Sequence, residues 1–161
     1  MSCNHCKHEE HYCIDNVPIF RGLMDDEKES IMDSSNHKNF KKGEIIFTPG
    51  DSFDDLFVVN KGMVKISKVS NLGKEQILRI LKPGDFMGEL SLFSKTILNN
   101  TAEALEVTEI CIIQGDKVRE LLMQKPEMAI KFLQKYTERI EETEELIEQI
   151  GLRDVEQRIA N

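Results

Sequence analysis

Glycines cut the middle of this chain into short pieces: Gly43, Gly50, Gly62, Gly73 and Gly84, the last three intervals being 12, 11 and 11 residues. Runs rich in branched and aromatic side chains occupy 44–47, 56–59, 63–69, 76–81 and 107–113, and Asn60-Lys61-Gly62 and Asn71-Leu72-Gly73 are turn chemistry. Strands this short and this evenly spaced fold as antiparallel hairpins. A parallel α/β sheet would need helical patterns of roughly 10–15 residues between the strands, and none occur. The expected fold is mainly β with flanking helices: an antiparallel β-roll of about eight strands.

The flanks read as helix. Before the roll, residues 17–35 offer an apolar entry (Val17, Ile19, Phe20, Leu23), Asp25 or Asp26 as an N-cap, and Glu29, Ile31 and Met32 at helical spacing. After it, Asp116 caps a segment carrying Val118, Leu121 and Leu122 that stops at Pro126. A longer helix follows, with Pro126 in its first turn and Gly151 as its expected C-cap. Its stripe runs Leu133, Tyr136, Ile140, Thr143, Ile147, Ile150, in alternating steps of three and four. At 1.5 Å per residue this rod is roughly 37 Å long, more than a core of this size needs, so the stripe predicts a homodimer. Met128, Ala129 and Phe132 in the first turns are expected to pack on the roll instead. The outer face is acidic, with Glu141, Glu142, Glu144, Glu145 and Glu148. Asp154 and Gln157 form a capping-box pattern that opens a new helix, the expected start of a further domain. The organisation is thus an arm at 1–16, a sensor roll at 17–125, a dimerisation helix at 126–150 and a domain start at 151–161.

Twenty-nine acidic residues against 21 basic ones give a formal charge of −8, which repels a phosphate backbone and disfavours nucleic-acid binding by this stretch alone. No apolar run approaches the roughly 20 residues that cross a bilayer, and MSCNHCKHEEHYC holds no signal-peptide core, so a cytoplasmic location is expected.

The arm has almost nothing apolar to pack, but it holds Cys3, Cys6 and Cys13; the fourth cysteine, Cys111, lies far downstream in Ile110-Cys111-Ile112-Ile113. A cytosolic setting argues against structural disulfides. Four thiolates suit an iron-sulfur cluster. Zinc is the rival, since Cys3, Cys6, His11 and Cys13 complete a tetrahedral set without Cys111. Free or redox-active thiols are a third reading, with Cys111 then a small core residue. His5, His8 and His11 are otherwise solvated bystanders, their imidazoles becoming ligands only in the zinc reading.

The order of parts, with Lys42-Gly43-Glu44-Ile45-Ile46-Phe47-x-x-Gly50-Asp51, then Val59-Asn60-Lys61-Gly62, then Pro83-Gly84-Asp85-Phe86-x-Gly88-Glu89-Leu90, and then a heptad helix, resembles the sensor half of CRP/FNR-type bacterial transcription regulators. The resemblance covers about residues 15–161 and implies a cyclic-nucleotide-binding-domain-like double-stranded β-helix, a regulator and not an enzyme. In the cyclic-nucleotide branch, the Glu of Gly-Glu-Leu holds the ribose and an Arg-Ser pair neutralises the phosphate. Here Gly88 and Glu89 match, but Asn100-Thr101 stands in the place of Arg-Ser, and no arginine lies between Arg79 and Arg119. A buried phosphodiester would lack its bidentate partner.

In the FNR branch, an N-terminal cysteine group and one distant cysteine hold a four-iron, four-sulfur cluster (4Fe-4S). The distant one follows an Ala-Leu-Glu stretch, and this chain reads Ala104-Leu105-Glu106-x4-Cys111. The gap from Cys6 to Cys13 is one residue longer than the family's. The resemblance therefore implies an oxygen or redox sensor whose cluster is held by Cys3, Cys6, Cys13 and Cys111, with promoter DNA and RNA polymerase as partners of a full-length protein. The alternative is an effector-binding regulator using Gly84, Phe86, Gly88, Glu89, Leu90, Asn100 and Thr101, its cysteines incidental or zinc-bound. A histidine-iron enzyme on a β-roll is set aside, because His37 is the only histidine beyond residue 11.

Overall fold

A computed structural model describes residues 14–160. After a single 3-10 turn at Pro18–Phe20 the order is α1 (Asp25–Asp33), β1 (Ser35–Phe40), β2 (Ile45–Phe47), β3 (Asp55–Lys61), β4 (Val64–Val69), β5 (Glu75–Leu81), β6 (Phe86–Met87), α2 (Glu89–Phe93), β7 (Thr101–Ala104), β8 (Thr108–Gln114), α3 (Gly115–Gln124) and α4 (Pro126–Ala160). The eight strands form two four-stranded sheets, β1-β8-β3-β6 and β2-β7-β4-β5. Every pairing is antiparallel. The first strand pairs with the last, which closes the roll as the glycine spacing predicts.

The inner faces of the two sheets meet in one core. Phe40, Phe57, Val59, Met87 and Ile110 come from one sheet, and Phe47, Val64, Ile66, Leu81, Ala102 and Ala104 from the other. Phe47, Phe53 and Phe57 pack with tilted rings, their centroids 5.1 to 6.2 Å apart, an arrangement worth about 1 kcal/mol per pair beyond burial. The β1-β8-β3-β6 sheet is buried on its other face as well. Strand alternation puts Leu56 and Val58 of β3, with Cys111 and Ile113 of β8, on that outer face, and all four are completely buried. α3 lies against β3 and β8, and α1 against β1. This is why Leu56–Val59 and Ile110–Ile113 are continuous apolar runs instead of alternating ones.

Gly62 shows how tightly the roll closes. Its φ is +89°, and a Cβ there would sit 2.5 Å from the Thr108 hydroxyl and 2.6 Å from the Val107 carbonyl oxygen, so glycine alone fits.

Three expectations need correction. The N-cap of α1 is Met24, not Asp25 or Asp26: its N–H donates to Glu27 Oε2 at 2.9 Å, and the two aspartates occupy the first turn, where they face the positive helix end. The strand Ser35–Phe40 falls where a helix was expected to end. Gly151 does not stop the last helix, and Asp154 does not start another: α4 runs 35 residues without a break through both. Gly151 has no positive φ. A mid-helix glycine costs only about 1 kcal/mol against alanine, which good helix formers on either side outweigh. One compact unit ends at Gln124, and residues from Lys125 onward form a second.

Candidate functional site

Cys111 sits at the centre of β8, with His37 of β1 opposite it on one side and Val58 of β3 on the other. Its side chain has no solvent exposure. Around it runs a polar chain inside an otherwise apolar face. Asn60 Nδ2 donates to Glu109 Oε1 at 2.9 Å, and His37 Nδ1 lies 2.9 Å from that same oxygen. The His37 side chain is 12% exposed. Its pKa is pushed up to about 8, chiefly by a hydrogen bond to Cys111; burial opposes the shift, and Glu109 adds to it. Burial works to raise the Glu109 carboxyl, but bonds from Asn60 and His37 win and hold it below the usual carboxylate range.

Cys3, Cys6 and Cys13, and with them His5, His8 and His11, lie outside the described residues. Among the described residues no group of three or more His, Cys, Asp or Glu side chains is arranged to hold a metal ion. The donor chemistry of Cys111 fits one corner of a cluster: a sulfur shielded from water, with an imidazole at hand to offset thiolate charge. The start of the described chain is anchored as well. Ile14 is completely buried, and Asp15 pairs with Lys28 of α1 at 2.7 Å. The Asn16 carbonyl oxygen lies 2.6 Å from where a Cβ on Gly84 would stand. Gly84 in turn donates its N–H to Val59 at 2.9 Å, next to the residue facing Cys111.

The second set of expected residues splits. Phe86 is buried in β6, Gly88 takes a left-handed conformation as the N-cap of α2, and Glu89 is 96% buried at the start of that helix. Leu90 points half into solvent, and Thr101 opens β7 opposite Ser67. Asn100 is partly buried just before it. Gly84 belongs instead with Asn16. A surface cleft of about 530 Å³ beside α2 is lined by none of these residues, but by Ser52, Phe53, Asp54, Ser91, Lys95 and Arg119 among others. Its arginine is committed to the protein: Arg119 forks Asp54 at 2.7 and 2.8 Å, reaches Asp116 at 2.6 Å and donates to the Leu92 carbonyl. These contacts push its pKa further above the usual arginine value, the Asp54 bond most of all. Sequence reasoning missed this latch, because Asp54 and Arg119 are 65 residues apart.

On α4, Leu133, Ile140, Ile147 and Ile150 are each at least half exposed. Tyr136 is half-buried, with Arg139 over its ring, and Thr143 satisfies its hydroxyl on the Arg139 carbonyl at 2.8 Å. No helix among the described residues is long and apolar enough to cross a membrane.

Residues 37–125 match the family model described as "Cyclic nucleotide-binding domain". The chain belongs to the cyclic nucleotide-binding domain family. Its curated relatives are transcriptional regulators of the CRP/FNR type. The chain is 30% identical over 88% of its length to "Probable transcriptional regulator flp" of Lacticaseibacillus casei, covering 63% of that protein. It is 30% identical over 74% of its length to the transcriptional activator protein Anr of Pseudomonas protegens, covering 49%. It thus spans about half to two thirds of these relatives. Among solved structures, the Thermus thermophilus catabolite activator protein superposes with a TM-score of 0.71 at 25% identity, over 84% of this chain and 63% of that one. In this cyclic nucleotide-binding domain, Glu89 keeps its buried place at the start of α2, while the nearest arginine after it is the one locked to Asp54.

Proposed function

We propose that this chain is the sensor and dimerisation part of a cytoplasmic transcription regulator that responds to oxygen or redox state. Cys3, Cys6, Cys13 and Cys111 would hold a four-iron, four-sulfur cluster. The observation that carries this reading is the position of Cys111: fully buried on β8, opposite His37 of β1, with β3 beside it bonded at Val59 to Gly84, which lies against Asn16. The motif resemblance around Ala104-Leu105-Glu106 and the kinship with Anr and Flp support it.

When bound, the cluster supplies an oxygen-labile crosslink between arm and roll. The chain's residues do the rest. Cys111 gives the roll-side thiolate, and Leu56, Val58 and Ile113 on the same face keep water from it. Asp15 and Asn16 fix where the arm meets the roll. The exposed stripe Leu133, Tyr136, Ile140, Thr143, Ile147 and Ile150 pairs with a second copy, and this is the equilibrium that the crosslink biases. Promoter DNA and RNA polymerase would be partners of the full-length regulator. A phosphate-bearing effector is disfavoured because Asn100-Thr101 stands where the Arg-Ser pair would be and Arg119 is held by Asp54.

The test is anaerobic purification with iron, sulfide and zinc analysis, repeated after exposure to air. Expected are about four irons and four sulfides per chain, lost in air and absent from Cys111→Ala. A single zinc that Cys111→Ala leaves in place, or no metal at all, overturns the reading.

A further inference from the structure

The cleft beside α2 is walled by three segments that are fastened to one another. The chain before β3 gives Phe53 and Asp54, α2 and the turn after it give Ser91, Phe93 and Lys95, and α3 gives Arg119. Arg119 joins all three, forking Asp54 and donating to the Leu92 carbonyl at 3.3 Å. The same segments meet at Gly115, where a Cβ would stand 2.9 Å from the Leu92 side chain and closer still to the Asp54 carbonyl oxygen. A cleft held this way is preformed. Within it, two polar groups stand without partners among the described residues. Ser91 is 8% exposed, and its buried hydroxyl meets no hydrogen-bond partner. Ser94, by contrast, returns its hydroxyl to the Leu90 carbonyl at 3.0 Å and touches the Thr96 hydroxyl. A buried hydroxyl left unbonded is costly, and a polar group bound to it recovers that cost. The second group is the exposed ammonium of Lys95: no described carboxylate pairs with it, whereas Asp54 and Asp116 are both taken by Arg119. Apolar surface shares the cleft, since Phe93 is 56% exposed.

We propose that this cleft binds a small organic carboxylate: Lys95 meets the charge, the Ser91 hydroxyl bonds a carboxylate oxygen, and Phe53 and Phe93 cover the apolar body. The lining carries two cations against one carboxylate, which favours an anion over a cation. A phosphate would call for a free guanidinium, and Arg119 is already spent on Asp54 and Asp116. Neither Cys111 nor Glu89, Asn100 or Thr101 lines the cleft, so this site stands or falls apart from the cluster reading.

The test is an NMR titration of the full isotope-labelled chain with hydrocinnamate, an aromatic carboxylate, and separately with its neutral amide. Expected are saturating shifts of the backbone amides at 52–54 and 91–96 with the carboxylate, and binding of the neutral compound about tenfold weaker. Lys95→Met should weaken the carboxylate by about tenfold and leave the thermal midpoint where it is. Ser91→Ala should weaken it about fivefold, again without lowering the midpoint, because in the free chain the hydroxyl has no bond to lose. Equal binding of acid and amide, or of wild type and Lys95→Met, overturns the assignment of a carboxylate. Shifts centred on Glu89, Asn100 and Thr101 would put the compound inside the roll, and the absence of any saturable shift at 91–96 would mean that the cleft is no site; either result overturns the proposal.

Discussion

In the roll, Phe47, Phe53 and Phe57 close on one another with rings 5.1 to 6.2 Å apart, whereas along α4 Leu133, Ile140, Ile147 and Ile150 are each at least half exposed. The same residue class does opposite work in the two regions. The core of the roll sets its apolar side chains against one another and is closed by long-range pairing, first strand to last. The helix keeps an apolar stripe that its own unit leaves uncovered, the stripe that the proposed dimer would bury. One region is specified by what it buries, the other by what it withholds.

Large-to-small substitutions should separate them most clearly. Phe57→Ala removes the ring that touches both Phe47 and Phe53, and should cost about 3–5 kcal/mol, read as a fall in the thermal midpoint of roughly ten degrees or more. Ile140→Ala should change the unfolding of a dilute monomer by less than about 0.5 kcal/mol, yet shift sedimentation toward the monomer at high concentration. Equal effects of the two on thermal unfolding would erase the contrast.

Glycine substitutions should have opposite signs in the two regions. Gly62→Ala places a Cβ against Thr108 and Val107 at positive φ and should destabilise the roll by about 3 kcal/mol. Gly151→Ala meets nothing within 4 Å in helical backbone and should stabilise α4 by up to about 1 kcal/mol, seen as a gain in helicity by circular dichroism.

A dependence on pH also separates the two regions. Because the pKa of His37 is raised from 6.5 to about 8 in the fold, its ionised form adds stability that is fully present below 6.5 and is lost as pH rises through about 8. About 2 kcal/mol is at stake. All four histidines lie at or before residue 37, so α4 is untouched by this titration. Urea midpoints near pH 6 and pH 9 should differ accordingly in the metal-free chain, and His37→Gln should flatten the difference.

Much of this contrast was legible in the chain. The glycine spacing pointed to an antiparallel roll, and the three-four stripe to a helix with an uncovered face. Two elements were not. β1 reads Ser-Asn-His-Lys-Asn-Phe, with only its two ends buried, and nothing in that pattern alternates; it is a strand because β8 offers an edge to pair with. α2 is five residues long and depends on its place after Gly88 more than on helix-forming composition. The first omission hid the site's second residue. His37 reads as an isolated histidine until β1 is seen lying beside β8, and then it is opposite Cys111. Gly151 misled in the other direction: a residue that ends many helices was read as ending this one, where its neighbours' propensity carries the backbone through.

The uninterrupted course of α4 makes it a drive shaft. A helix advances about 100° per residue, so 35 residues without a break hold the heading of Val155 and Ile159 in fixed phase with the buried Met128 and Phe132 at the other end. The rod is roughly 50 Å long. A single residue inserted near Gln149 would leave the buried end as it is and turn everything beyond it by more than a quarter of a revolution.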